Sequence, residues 1–121
     1  MPGSISYDVY VKPVDVNYVH NRIKERYIDF FTTFVKKSLD NETIEQEVIT
    51  SLSTAMIDGE VDELNPDRCG LKKLKIRGFS SLLQTEVSAI VFQDDIKKIR
   101  FPITILSNPM ESWFKGIEYK M

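Results

Sequence analysis

The clearest pattern in the chain is a strict alternation of apolar and polar residues between positions 98 and 105. Side chains of a β-strand point to opposite faces with a period of two, so this pattern predicts a half-buried strand. The preceding segment Val87–Phe92 is apolar and β-branched, and Asp94-Asp95 favours a turn between the two. We therefore predict a β-hairpin on which the rest of the chain packs. The predicted core-facing residues are Ile99, Phe101, Ile103 and Ile105, and the predicted solvent-facing ones are Lys98, Arg100, Pro102 and Thr104.

Two further stretches alternate in the same way. Ile5–Lys12 predicts one strand, and Leu71–Phe79 predicts another, with Leu74 and Ile76 on its apolar face. The sequence after Arg77 begins with glycine and predicts a bulge or a turn. Pro102 cannot donate to a ladder, so we expect it on an edge strand or at a bulge.

A long helix is predicted over Val16–Leu39, because apolar residues recur there at spacings of three and four. A second apolar line widens the stripe in its C-terminal half, which is typical of a helix buried on two sides. The predicted stripe consists of Val19, Ile23, Tyr27, Phe30 and Phe34, and the second line of Ile28, Phe31 and Val35.

A second helix is predicted to begin at Asp40-Asn41, where several acidic residues favour the positive end of the helix dipole. Its apolar residues form one narrow line, and Gly59 is the predicted helix stop. The acidic segment Glu60–Gly70 predicts a loop. The line consists of Ile44, Val48, Leu52 and Ala55.

The C-terminal region predicts a short helix over Ser107–Lys115, with Asn108 as its cap. The alternating tail Ile117–Met121 is either a short closing strand, which we favour, or the frayed end of that helix. Runs of helices followed by runs of strands indicate an α+β fold. We predict a single domain, residues 1–121, in two layers. A mostly antiparallel sheet of about four strands would carry the helices on one face.

Composition fits an ordinary globular domain, with 42% hydrophobic and 28% charged residues. The single cysteine excludes an internal disulfide, and no apolar run approaches the ~20 residues that span a bilayer. The N-terminus lacks the basic and apolar regions of a signal peptide. These features predict a cytoplasmic protein that does not contact membranes.

Charge is distributed unevenly along the chain. Residues 1–66 carry 12 acidic and 6 basic side chains, whereas residues 67–121 carry 6 acidic and 10 basic ones. Residues 38–67 hold nine acids and neither lysine nor arginine. This block is either a solvated face or a surface that docks on a basic partner. The candidate partner surface consists of Glu45, Asp58, Glu60, Asp62, Glu63 and Trp113.

The basic strands have two interpretations. Cations on one sheet face, with Phe79 and Phe92 nearby, could hold single-stranded nucleic acid. Alternatively, this is a solvated face whose lysines discourage edge pairing. An acidic chain overall argues against nucleic acid as the main partner. The candidate nucleic-acid surface consists of Lys73, Lys75, Arg77, Lys98 and Arg100.

Residues suited to catalysis are scarce. His20 is the only histidine, and it lies far in sequence from any candidate nucleophile. Cys69 has no recognisable activating base nearby in sequence, and a Zn site would need more cysteines and histidines. We therefore predict no catalytic residues, no cofactor and no metal site.

By elimination, the sequence favours a non-enzymatic protein–protein interaction module. Such a protein would be a small accessory or structural subunit of a larger assembly, viral or phage assemblies included, or a modulator of one. Its partner would be another protein or further copies of itself. A nucleic-acid-binding protein is the alternative, and a small-ligand binder or enzyme with a pocket around His20 is the weaker one.

Overall fold

The computed structural model describes residues 6–11, 16–35, 39–61 and 71–106. These residues form five strands in one sheet, together with two helices, which confirms the predicted α+β class. The elements are β1 (Asp8–Val9), α1 (Val16–Ile23), α2 (Asn41–Ser53), β2 (Met56–Glu60), β3 (Lys72–Ser80), β4 (Thr85–Asp94) and β5 (Ile99–Ile105).

The sheet has the strand order β1-β5-β4-β3-β2 and is mixed. β1 runs parallel to β5, and the other neighbouring strands are antiparallel. The additional strand relative to the predicted four is β2. The predicted C-terminal helix and closing strand lie outside the described residues.

The predicted hairpin is present in β4 and β5. The Asp94 carboxylate accepts hydrogen bonds from the backbone N–H groups of Ile96 and Lys97, both at 3.0 Å. These bonds fix the turn over residues 95–98, where Lys98 takes a positive φ of 57°. Short acidic side chains favour turns for this reason.

The predicted orientation of β5 is wrong over most of its length. Arg100 and Pro102 are buried, whereas Phe101 and Ile103 are only half-buried. The register with β4 shifts between Ile90 and Val91, so Ile103 has no cross-strand partner. A bulge of one residue reverses the facing of the residues on its two sides. Ile105 therefore still reaches the core, and Pro102 lies at the bulge, as expected.

Helix α2 begins as predicted and ends earlier. Asp40 caps it by accepting a 2.6 Å hydrogen bond from the Thr43 N–H group. Its predicted apolar line is buried throughout. The helix ends at Ser53, however, and Met56–Glu60 pairs with β3 instead of continuing it. β3 offers unpaired backbone groups along this edge, and satisfying them outweighs continuing the helix.

The glycine after Arg77 has a packing role, and β3 runs straight through it. A Cβ atom at Gly78 would lie 2.7 Å from the Ser51 carbonyl oxygen and 3.2 Å from the Ala55 Cβ. The predicted turn comes later, over residues 81–84. Gly78 thus allows the C-terminal end of α2 to sit directly on the sheet.

The long first helix is interrupted by wider turns. After α1, the segments Lys24–Ile28 and Phe31–Val35 are π-helical. In the first of them, the Asp29 N–H group bonds the carbonyl of Lys24, five residues earlier. Each such turn takes an extra residue and rotates the next part of the helix about its axis. Phe34, predicted to be in the core, is therefore 60% exposed.

Buried side chains from both helices and from the three central strands form one core. The line along α2 packs with the inner faces of β3 and β4, and the first helix adds its own stripe. The core comprises Val19, Ile23, Tyr27, Ile28, Phe30, Phe31, Ile44, Val48, Leu52, Ala55, Leu74, Ile76, Leu83, Val87, Ala89, Val91 and Ile105.

Candidate interaction surfaces

Exposed apolar side chains gather where β2 borders β3. Met56 is 76% exposed and Ile57 53%, and Val61 just after the strand is also exposed. Met56 lies opposite Arg77, which places it diagonally beside Phe79 on the same sheet face. Phe79 is 63% exposed. Ile57 lies opposite the buried Ile76 and therefore projects from the other face of this edge. We call Met56, Ile57, Val61 and Phe79 the apolar edge.

The sequence pattern does not predict the apolar edge, because the predicted helix α2 continues into it. Met56 and Ile57 follow the periodic line of α2, and that pattern places them at its C-terminal end. Only the pairing of β2 with β3 turns these residues into a strand beside Phe79. The one local signal is that Met56-Ile57-Asp58-Gly59 breaks the four-residue spacing of the buried line.

The described members of the candidate partner surface are divided between two elements. Glu45 lies on α2 and pairs with His20 of α1. Asp58 and Glu60 lie on β2 beside the apolar edge. The remaining members, Asp62, Glu63 and Trp113, lie outside the described residues.

Three members of the candidate nucleic-acid surface share one face of β3. Lys73, Lys75 and Arg77 alternate along the strand with the buried Leu74 and Ile76. Their charge is partly neutralised within the chain. Asp58 lies 3.7 Å from the Lys75 ammonium group and 3.8 Å from the Arg77 guanidinium group.

Lys98 and Arg100 do not belong to this face. Lys98 lies in the β4–β5 turn, with its ammonium group 5.4 Å from the centre of the Tyr7 ring. Arg100 is only 2% exposed and lies on the core side of the sheet. The assignment of Arg100 to a solvent-facing surface is therefore wrong, because the bulge in β5 places it inward.

Arg100 is held by a polar network that connects β5, β4 and α2 with Tyr7, which lies just before β1. Its Nε donates to the Gln93 amide oxygen at 2.7 Å, and its Nη1 donates to the Leu52 carbonyl at 2.6 Å. The guanidinium group stacks on the Tyr7 ring at 4.2 Å. The Tyr7 hydroxyl and the Gln93 amide both donate to Asp95 Oδ1, at 3.1 and 2.7 Å.

Protonation equilibria in this network depend on burial and on its hydrogen bonds. The hydrogen bond from Lys72, 2.9 Å from Asp95 Oδ2, lowers the pKa of Asp95, and the bonds from Gln93 and Tyr7 lower it further. Burial raises the pKa of Tyr7, and burial lowers the pKa of Arg100. Nε and Nη1 of Arg100 both meet acceptors within the fold, which is the arrangement of a structural network.

His20 and Cys69 are the residues that the sequence offered for catalytic or metal-binding chemistry. The described part of the chain contains no group of three or more His, Cys, Asp or Glu side chains that could hold a metal ion. His20 is engaged by Glu45, and Cys69 lies outside the described residues. Among the described helices, none combines the length and apolar character that crossing a membrane requires.

Comparison with models of known families, with curated proteins and with solved structures finds no match to this chain. Its function is therefore inferred from its surfaces.

Proposed function

We propose that this protein is a non-enzymatic protein-interaction module, an accessory or structural subunit that docks on a protein partner through the apolar edge. The observation that carries the proposal is the exposure of Met56 and Phe79 side by side on one face of the sheet, with Ile57 exposed on the other face of the same edge. Isolated apolar residues are common on protein surfaces, whereas contiguous ones are typical of interaction sites.

The composition of this surface fits a docking role. Methionine and phenylalanine are enriched in the cores of protein interfaces, and charged residues form their rims. Here Asp58 and Arg77 lie on the same face as Met56 and Phe79, and Glu60 lies on the other face of the edge. Removing Met56 and Phe79 from water on binding would be favourable, since apolar burial contributes about 25 cal/mol per Å².

The test is site-specific photo-crosslinking. A crosslinking amino acid is placed at position 56 or 79, and as a control at position 96. Ile96 is 94% exposed at the tip of the β4–β5 turn, away from the apolar edge, so it reports on exposure alone. The variants are exposed to an extract of the native source and irradiated.

We expect one defined crosslinked species from positions 56 and 79 and none from position 96. A crosslink to a second copy of the chain would identify the partner as a homo-oligomer, which sedimentation at several concentrations would verify. Equal crosslinking at all three positions, or none at 56 and 79, would contradict the proposal.

A further inference from the structure

The backbone of β2 offers hydrogen-bonding groups on its outer side. The Val61 N–H group donates to the Lys73 carbonyl at 2.9 Å, toward β3. Backbone groups of successive strand residues point to alternate sides, so the N–H and C=O groups of Glu60 point away from β3. Within the described residues, β2 is the last strand on this side of the sheet. An open edge of this kind can accept another strand.

β3, the strand that already pairs with β2 in the sheet, indicates what kind of sequence β2 can pair with. β3 reads Lys-Lys-Leu-Lys-Ile-Arg over residues 72–77, a mixture of basic and apolar residues. Asp58 lies within salt-bridge distance of both Lys75 and Arg77 on that strand. At the open edge, Glu60 and Ile57 on one face and Met56 on the other offer the same combination of negative charge and apolar surface.

We infer that β2 binds an extended segment of a partner protein by strand addition at its outer edge. In the bound segment, basic and apolar residues alternate. The inference rests on the proposed function and specifies how the partner is held. Backbone hydrogen bonds would supply the pairing, while the acidic side chains and the apolar edge would select the sequence.

Charge argues against the other occupants of this edge. Pairing of two copies through β2 would add a second Asp58 and a second Glu60 at the same interface, and like charges brought close together destabilise strand pairs. β1, at the other end of the sheet, also exposes an acid, Asp8. Nucleic acid would meet the same negative charges.

The probe is a fluorescent peptide of sequence LKKLKIR, which matches residues 71–77 of the chain itself. Two control peptides are matched to it. In LEELEIE the cations are replaced by glutamate, and in KKKRLLI the composition is kept while the alternation is lost. Binding is followed by anisotropy, and the site by amide hydrogen exchange of the protein.

We expect LKKLKIR to bind, to weaken as salt is added and to protect the Glu60 amide from exchange. LEELEIE should not bind, and KKKRLLI should bind at least about fivefold more weakly. The variant Glu60→Pro removes the outward N–H group together with the carboxylate, and proline is tolerated on an edge strand; Glu60→Gln removes the charge alone. Glu60→Pro should weaken LKKLKIR about tenfold, whereas Glu60→Gln should weaken it about twofold to threefold by loss of charge.

Unchanged binding by Glu60→Pro, with thermal unfolding showing that this variant is folded, would overturn strand addition. If the variant does not fold, amide hydrogen exchange of the wild-type protein is the deciding measurement. Peptide binding that leaves the Glu60 amide unprotected would contradict the inference. Failure of LKKLKIR to bind, combined with a crosslink at position 56, would reject strand addition and leave the proposed function standing. The absence of that crosslink would reject the proposed function itself.

Discussion

At the scale of single residues, the least expected feature is a buried arginine that contacts no carboxylate among the described residues. Arg100 instead meets an amide oxygen, a backbone carbonyl and an aromatic face. A buried cation is costly unless its donors are satisfied. The contacts with Gln93, Leu52 and Tyr7 meet this requirement and bind the end of α2 to the sheet.

Gly78 provides a direct test of close packing. Gly78→Ala would place a methyl group 2.7 Å from the Ser51 carbonyl oxygen, and a backbone atom cannot move aside alone. We expect a loss of about 1–3 kcal/mol in the free energy of unfolding, the usual range for overpacking. Urea denaturation measures it.

The matched control is Gly59→Ala on β2, where nothing lies within 4 Å of the added Cβ. This control should be neutral or stabilise by up to about 1 kcal/mol, because alanine restricts the unfolded chain. Equal effects at the two glycines would show that α2 does not rest on β3 at Gly78.

Asp95 should make stability depend on pH. Its pKa is lowered in the folded state, chiefly by Lys72, and lies near 3.9 in an unfolded chain. The carboxylate therefore contributes stability that is complete above about pH 4 and is lost as the pH falls through the folded pKa. Asp95→Asn should be less stable at pH 7, and its stability should decline less below pH 4.

The control for this experiment is Asp94→Asn, because asparagine can still accept the turn hydrogen bonds that Asp94 receives from residues 96 and 97. Thermal unfolding between pH 2 and 7 gives both curves (this range brackets the reference carboxyl pKa). Parallel curves for wild type and Asp95→Asn would contradict the role assigned to Asp95.

At the scale of elements, two local irregularities decide which residues are inside. The bulge in β5 turns Arg100 inward, and the π-helical turns after α1 turn Phe34 outward. Each adds a residue to a regular repeat, so the periodicity of the sequence predicts the wrong face on one side of the irregularity. Neither irregularity is marked by a glycine.

Alanine substitutions at Phe30 and Phe34 test the π-helical turns after α1. Phe30 is buried, so Phe30→Ala should cost about 3–5 kcal/mol of unfolding free energy, as is usual for an emptied aromatic site. Phe34 lies 5.8 Å from the Phe30 ring but is mostly exposed, so Phe34→Ala should cost less than about 1 kcal/mol. The two variants are compared by chemical denaturation. Equal losses would place Phe34 in the core and contradict the π-helical turns.

At the scale of the whole molecule, charge is arranged so that β2 and β3 partly neutralise each other. Within the described residues, the charge asymmetry between the two halves of the sequence therefore does not form two independent patches. Asp58 contacts both Lys75 and Arg77, and Lys72 contacts Asp95. The charge available to a long-range partner is smaller than the sequence indicates.

This arrangement predicts weak nucleic-acid binding. A single-stranded oligonucleotide should show no measurable binding at about 0.15 M salt, where surface charges are screened beyond ~8 Å. Asp58→Asn should strengthen binding at low salt, because it frees two cations. Anisotropy over a salt series measures both. Tight wild-type binding that falls steeply with salt and is abolished by Lys75→Glu would support the nucleic-acid alternative instead.

The sequence by itself determined the fold class, the hairpin with its Asp94 turn, the cap and buried line of α2, and the inner face of β3. These features depend on neighbours within a few residues, where period and capping chemistry act directly. The tertiary structure alone decided that Met56–Glu60 is a strand, that Arg100 is buried, and that Phe34 is exposed. The strand Met56–Glu60 depends on pairing with β3, and the burial of Arg100 depends on its contacts with Gln93 and the end of α2. The exposure of Phe34 depends on the π-helical segment in which it lies. An alternating pattern predicts which residues share a face of a strand. The element that packs on that face determines whether it is buried.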